Sequence, residues 1–118
     1  HPPACLVRGS ELHELKSTGV PFGVLPEFKY ASERVTLQTD DLLAIFSDGI
    51  PEAQKGDSFF DSERVHAVLL EQSAVADLEL TRKNILNRVR EFVDGSPRID
   101  DITLLLVRRG PKPEEITL

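Results

Sequence analysis

The spacing of hydrophobic residues predicts a β-hairpin at the start of the chain. Two short apolar segments, residues 4–7 and 12–15, flank the pair Gly9-Ser10. Glycine supplies the positive φ that a type II′ turn needs, so the two segments are predicted to pair as antiparallel strands. Residues 18–26 contain two glycines and two prolines and are predicted to form a loop. Residues 28–37 are predicted to be a strand with a bulge or bend, because their apolar positions change parity along the segment.

Two nearly continuous apolar runs, residues 42–46 and 102–107, differ from the rest of the chain. Strands without polar alternation are covered on both faces, so both runs are predicted to lie in the centre of a sheet.

Between these two runs, helical periodicity of the apolar residues predicts two helices. The first is expected to begin at Asp61 as its N-cap, with Phe60 packing onto Val65. The second is expected to begin near Asp77 and to end before Gly95. Its apolar stripe comprises Leu78, Ile85, Leu86, Val89, Phe92 and Val93.

The length and composition of the chain bear on its domain count, its partners and its cellular compartment. A length of 118 residues suits one domain, and a net charge of −6 argues against a nucleic-acid partner. No apolar run approaches the length that spans a membrane, and no signal-peptide pattern is present. The single cysteine, Cys5, suits a reducing compartment, which predicts a cytoplasmic protein. Because the chain lacks methionine and opens with His1, we expect it to be part of a longer protein.

Acidic residues adjoin both apolar runs. Asp48 directly follows the first run, whereas Asp100 and Asp101 precede the second. If the two strands are antiparallel neighbours, the three carboxylates gather at one edge of the sheet. A hard divalent ion such as Mg²⁺ or Mn²⁺ would relieve their mutual repulsion. The alternative is ordinary turn chemistry, since Asp-Gly commonly follows a strand and polar pairs commonly precede one.

Other chemistry-bearing residues favour structural roles. His13 and His66 are isolated, and no base accompanies Cys5, so a buried structural thiol is predicted there. The cluster of basic residues between Arg82 and Arg90 predicts a solvated helix face, with a docking surface for an acidic partner as the alternative.

Four motifs together resemble a known family. They are HPPA at 1–4, TGVPFGVLP at 18–26, DDLLAIFSDGIPEA at 40–53 and IDDITLLLVRR at 99–109. In order and spacing they are similar to the C-terminal half of PP2C-like phosphatases, in the bacterial branch that includes the SpoIIE and RsbU regulators of sigma-factor activity. The resemblance covers residues 1–109 as part of such a domain, and residues 110–118 are expected to be a tail or linker.

The resemblance implies a fold and a chemistry. The fold is α+β, an antiparallel β-sandwich with flanking helices, of which this chain would be a part. The activity is metal-dependent removal of phosphate from phosphoserine or phosphothreonine in proteins, with two Mn²⁺ or Mg²⁺ ions in the complete domain. By motif position, Asp48 and Asp100 match metal ligands, whereas Gly49 and Asp101 match supporting positions. No catalytic residue beyond the metal ligands is implied.

The resemblance also implies partners. The expected substrate is a phosphorylated anti-sigma-factor antagonist, and an upstream sensor or receiver domain is expected in the parent chain. With the rest of the ligand set absent, this chain alone is expected to be inactive, to bind metal weakly and to self-associate. Two alternatives are a catalytically dead domain that serves as a protein-binding module, and an unrelated α+β domain with ordinary acidic turns.

Overall fold

Four antiparallel strands form the main sheet of the protein. The structure is a computed structural model that describes residues 1–95 and 101–111. The sheet consists of β1 (Ala4–Arg8), β2 (Glu11–Leu15), β3 (Leu42–Phe46) and β6 (Leu104–Arg108), in the order β2-β1-β3-β6. A separate small hairpin joins β4 (Gln54–Lys55) to β5 (Ser58–Phe59). Two helices follow it, α1 (Asp61–Glu71) and α2 (Leu78–Val93), separated by a 3₁₀ turn at Gln72–Ala74.

The predicted first hairpin is confirmed. Strands β1 and β2 pair from Ala4 opposite Leu15 to Arg8 opposite Glu11. Gly9 occupies the turn with a φ of +58°, a value at which a side chain would be strained.

The two helices cover one face of the sheet. From β3, Leu42, Ala44 and Phe46 point into this core, where they meet helix residues such as Val68 and Val89. All six positions of the predicted α2 stripe are buried or partly buried. The prediction of α2 is confirmed in detail, since the Asp77 carboxylate accepts hydrogen bonds from the second and third N–H groups of the helix.

The predicted cap of α1 is wrong. The N-cap position is held by Phe60 and makes no side-chain hydrogen bond. Asp61 has a φ of +69°, and its N–H donates to the Pro51 carbonyl at 2.7 Å, while its carboxylate accepts only from the adjacent Ser62 N–H. The contact with Pro51 therefore holds Asp61 in a conformation unsuited to capping. Phe60 and Val65 both belong to the buried core cluster, which is consistent with the predicted packing.

The prediction of coverage on both sheet faces is wrong for this structure. Strand β3 is central, as predicted, but β6 lies at the edge of the sheet. On the face away from the helices, Ile45 is 42% exposed, Leu105 is 53% exposed and Val107 is 38% exposed. The described residues thus form one layer of the expected sandwich, an α+β arrangement with an uncovered apolar sheet face.

Residues 28–37 contain no strand, which contradicts the prediction. Their carbonyl groups accept hydrogen bonds from side chains instead of from a neighbouring strand: Ala31 from Thr18 Oγ1 at 2.6 Å, and Thr36 from Arg8 at 3.2 Å. Phe28 and Tyr30 pack edge to face with ring centroids 5.0 Å apart. The bulky residues that suggested β-structure therefore pack locally within the loop.

Candidate metal edge

Strands β3 and β6 bring two of the predicted acidic residues, Asp48 and Asp101, to the same end of the sheet, which we call the Asp48 edge. The strands are antiparallel, with Phe46 opposite Leu104. Asp48 lies just beyond the end of β3, and Asp101 lies just before the start of β6. Both are exposed. The antiparallel arrangement on which the predicted metal site depended is confirmed.

Hydrogen bonds tie the two acid-bearing segments together. The Ser47 N–H donates to the Thr103 carbonyl at 3.0 Å, and the Thr103 N–H donates to the Ser47 hydroxyl at 2.9 Å. The same hydroxyl lies 3.4 Å from the Asp101 carbonyl oxygen and donates to it. Ser47 therefore holds the Asp48 turn against the segment that contains Asp101. No local sequence pattern indicates this role, because Thr103 is 56 residues away from Ser47.

Position 49 has no room for a side chain, so glycine is required there. A Cβ at this position would overlap the Asp101 carbonyl oxygen and would lie 3.1 Å from the carbonyl carbon. Glycine's freedom at positive φ is not used here. The supporting role expected of Gly49 therefore has a steric basis here, since its missing side chain lets the two segments touch.

Asp100, the other predicted ligand, lies outside the described residues. Within residues 1–95 and 101–111, no three Asp, Glu, His or Cys side chains group closely enough to hold a metal ion. The edge nevertheless suits a hard cation. Among the described residues neither Asp48 nor Asp101 forms a salt bridge, and carboxylate oxygens are the ligands that hard cations prefer.

An ion pair with a buried carboxylate lies at the opposite end of β3. Arg8 donates to both carboxylate oxygens of Asp41, with a shortest distance of 2.7 Å, and the Gln38 N–H also donates to Asp41 at 2.7 Å. These hydrogen bonds, led by those from Arg8, hold the pKa of the Asp41 carboxyl below its usual range. The pair fastens the end of the loop to β1, far along β3 from Asp48. Its partners are 33 residues apart, and no local pattern indicates them.

Cys5 and the two histidines match the structural roles predicted for them. Cys5 is 1% exposed, and burial, with a smaller contribution from Glu14, raises the pKa of its thiol to about 11. Such a thiol is a poor nucleophile. Glu14 also contacts His66 at 2.9 Å, which links β2 to α1, and His13 lies 3.4 Å from Glu11.

The basic residues of α2 pair with acids on the protein surface. Arg82 contacts Glu79, and Arg88 contacts Glu71 on the preceding helix. These pairs support the predicted solvated face. None of the helices in the described ranges is long and apolar enough to cross a membrane.

Comparisons with known proteins extend over nearly the whole chain. The sequence profile of the family described as Stage II sporulation protein E (SpoIIE) matches residues 1–110. Protein IcfG of Synechocystis sp. is 26% identical over 114 residues, which is 93% of this chain and 17% of that protein. Phosphoserine phosphatase RsbU of Bacillus subtilis is 24% identical over 102 residues, which is 86% of this chain and 30% of that protein.

Solved structures share the fold. The SiaA-PP2C domain of Pseudomonas aeruginosa superposes with a TM-score of 0.78 at 24% identity, over 91% of this chain and 43% of that one. The phosphatase domain of SpoIIE from Bacillus subtilis, presoaked with Mn, superposes with a TM-score of 0.70 at 22% identity, over 97% of this chain and 49% of that one. The chain thus spans less than half the length of each of these structures, and the similarity confirms the predicted α+β fold as part of a PP2C domain.

Proposed function

We propose that this chain, which belongs to the SpoIIE family, forms the C-terminal part of a metal-dependent phosphatase domain that acts on phosphoserine or phosphothreonine in proteins. The observation that carries the proposal is the contact between the Asp48 turn and the Asp101 segment at one edge of the sheet. The name of the relative RsbU, a phosphoserine phosphatase, supports the same reaction class.

Some residues of the Asp48 edge would bind the metal, and others would position the residues that bind it. Asp48 would hold the metal through its exposed carboxylate, and Asp100, which lies outside the described residues, is the second proposed ligand. Ser47 positions the Asp48 turn by its hydrogen bonds to Thr103 and Asp101, and Gly49 allows the approach. When bound, the Mn²⁺ or Mg²⁺ ions supply a water of lowered pKa and neutralise charge on the phosphoryl group. A protein nucleophile is then unnecessary, and Cys5 is too weakly ionised to provide one.

The remaining ligands would come from the part of the domain that the solved relatives contain and this chain does not span. The exposed apolar sheet face, with Ile45 and Leu105, supports this, since the second layer of a sandwich would cover it. We therefore expect the 118-residue chain to be inactive alone. The substrate that we propose is a phosphorylated anti-sigma-factor antagonist, and the parent chain would carry an upstream sensor or receiver domain.

Mn²⁺-dependent phosphate release from a phosphoserine protein by the full-length parent tests the proposal. Asp48→Asn should lower kcat at least about 100-fold and weaken Mn²⁺ binding, measured separately by electron paramagnetic resonance, because the ligand loses its charge. Asp57→Asn, in the exposed turn between β4 and β5, is the matched control and should change neither value.

Three outcomes would contradict parts of the proposal. Full activity of Asp48→Asn would overturn the ligand assignment, and robust turnover by the 118-residue chain would overturn the partial-domain account. A parent without phosphatase activity that still binds the phosphoprotein would favour the catalytically dead binding module.

A further inference from the structure

A groove of about 640 Å³ lies next to the Asp48 edge. The Glu52 N–H donates to the Asp48 carbonyl at 2.9 Å, so the groove begins a single turn of chain beyond the proposed ligand. The lining residues come from four segments: Pro2, Pro3, Pro51, Glu52, Phe59 and the Asp61-Ser62 pair.

The groove walls are fastened to each other. The Phe60 N–H donates to the Ala53 carbonyl at 2.7 Å, and the Asp61 N–H donates to the Pro51 carbonyl at 2.7 Å. These bonds close the base of the β4–β5 hairpin on the turn that follows Asp48. On the other side, Pro2 and Pro3 lead into β1, which pairs antiparallel with β3, so they lie at the end of the sheet where Asp48 emerges. The side of the groove formed by Pro51, Phe59 and Asp61 is thus preformed.

The groove surface combines apolar rings with negative charge. Phe59 is 50% exposed, and three prolines add rigid apolar surface beside it. Glu52 and Asp61 supply carboxylates, and none of the residues that line the groove is basic. The nearby cation Arg64 is engaged elsewhere, since it donates to the Phe59 and Phe60 carbonyls and stacks over a helix aromatic ring.

We propose that this groove binds the segment of the substrate polypeptide next to its phosphorylated residue, and that it selects an aliphatic or aromatic side chain beside Lys or Arg. The inference rests on the proposed function for the presence of a phosphoprotein at the Asp48 edge. The apolar side chain packs against Phe59 and the prolines, and the basic side chain pairs with Glu52 or Asp61. Prolines have no N–H group to donate, so Pro2, Pro3 and Pro51 offer the peptide side-chain contacts without strand pairing.

The charge of the groove favours the same partner. The proposed metal ions would offset the charge of Asp48, whereas Glu52 and Asp61 line the groove itself, and the protein as a whole carries −6. Acidic flanking residues would be repelled, whereas basic ones are attracted and oriented. The groove therefore discriminates between phosphoproteins by the sequence next to the phosphorylated residue. The proposed metal site at the Asp48 edge contacts only the phosphoryl group, so it does not distinguish these sequences.

Binding of an unphosphorylated peptide tests the groove independently of phosphatase activity. The probe is a short fluorescein-labelled peptide in which serine is followed by leucine and two arginines, and its counterpart carries glutamates in place of the arginines. Fluorescence anisotropy with the full-length protein should show tighter binding of the basic peptide. Glu52→Lys and Phe59→Ala should each weaken its binding about tenfold, and Glu52→Lys should strengthen binding of the acidic peptide.

Glu33→Lys and Phe22→Ala, both in the exposed loop between β2 and β3, are the matched controls and should leave binding unchanged. Strengthened binding of the acidic peptide by Glu52→Lys cannot come from misfolding. Equal affinity for the two peptides, or unchanged affinity in both groove variants, would overturn the inference. An inactive protein that still shows the charge preference would contradict the proposed function and leave the groove supported.

Discussion

Ser47 and Thr103 are joined by two reciprocal hydrogen bonds across the end of the sheet. The Ser47 N–H donates to the Thr103 carbonyl, and the Thr103 N–H donates back to the Ser47 hydroxyl. Because Asp48 directly follows Ser47, and Asp101 lies two residues before Thr103, this link sets the spacing between the Asp48 turn and the Asp101 segment.

Replacement of Ser47 by alanine should disturb that spacing. Ser47→Ala removes the acceptor of the Thr103 N–H, and we expect a loss of about 1 kcal/mol in unfolding free energy because water partly replaces the bond. In the full-length parent, Mn²⁺ affinity should fall about tenfold, as is usual when a group that orients a ligand is removed. Urea denaturation and Mn²⁺ titration measure the two effects. Ser10→Ala, in the β1–β2 turn, is the control, and equal Mn²⁺ affinities in the two variants would argue against a positioning role.

A methyl group at position 49 should force the same two segments apart. The added Cβ of Gly49→Ala would overlap the Asp101 carbonyl oxygen, which belongs to the backbone and cannot rotate away. We expect a cost of about 1–3 kcal/mol in unfolding free energy, the usual range for overpacking. Gly110→Ala is the matched control, because a Cβ there meets no atom within 4 Å. Comparable denaturation midpoints for the two variants would show that the edge is looser than the structure indicates.

The Arg8–Asp41 pair should make stability depend on pH in the acid range. Its hydrogen bonds lower the folded-state pKa of the Asp41 carboxyl, so its stabilisation is fully present above the unfolded pKa of about 4 and is lost as pH falls through the folded pKa. Asp41→Asn should lower the urea midpoint at pH 7 and should flatten its decline between pH 5 and pH 3. Asp57→Asn should keep the wild-type decline. An unaltered pH profile in Asp41→Asn would show that other carboxylates control acid unfolding.

The uncovered sheet face should make the isolated chain self-associate. Ile45, Leu105 and Val107 adjoin one another across β3 and β6, since Ile45 pairs with Leu105 in the strand register. A contiguous apolar face of this kind is ordinarily covered, and a second copy of the chain is the available partner in a purified sample. Sedimentation velocity should show dimers or larger species, and Leu105→Lys should shift the chain towards monomer. Val24→Lys, at an exposed loop position, should not, and a monomeric wild-type chain would contradict the prediction.

The sequence by itself determined the elements whose causes are local. Gly9 specified the first hairpin, Asp77 specified the start of α2, and uninterrupted apolar residues marked β3 and β6. Each of these signals acts through neighbours a few residues away, so it can be interpreted without knowledge of the fold. The acidic ends of the two apolar strands were visible for the same reason, and they indicated where chemistry would gather once the strands paired.

Only the tertiary structure decided the features that depend on distant partners. The bond to the Pro51 carbonyl overrides the capping preference of Asp61, and side-chain donors from Arg8 and Thr18 occupy the carbonyls of a segment with strand-like composition. The spatial role of Gly49 depends on a residue 52 positions away, Asp101, and its local backbone gives no sign of it. Likewise, the sequence of an apolar strand indicates that the strand should be buried, but it does not indicate which element covers it. The pairing of strands and the covering of sheet faces depend on residues that are distant in sequence. They place Asp48 against the Asp101 segment and beside the groove, and they leave Leu105 exposed.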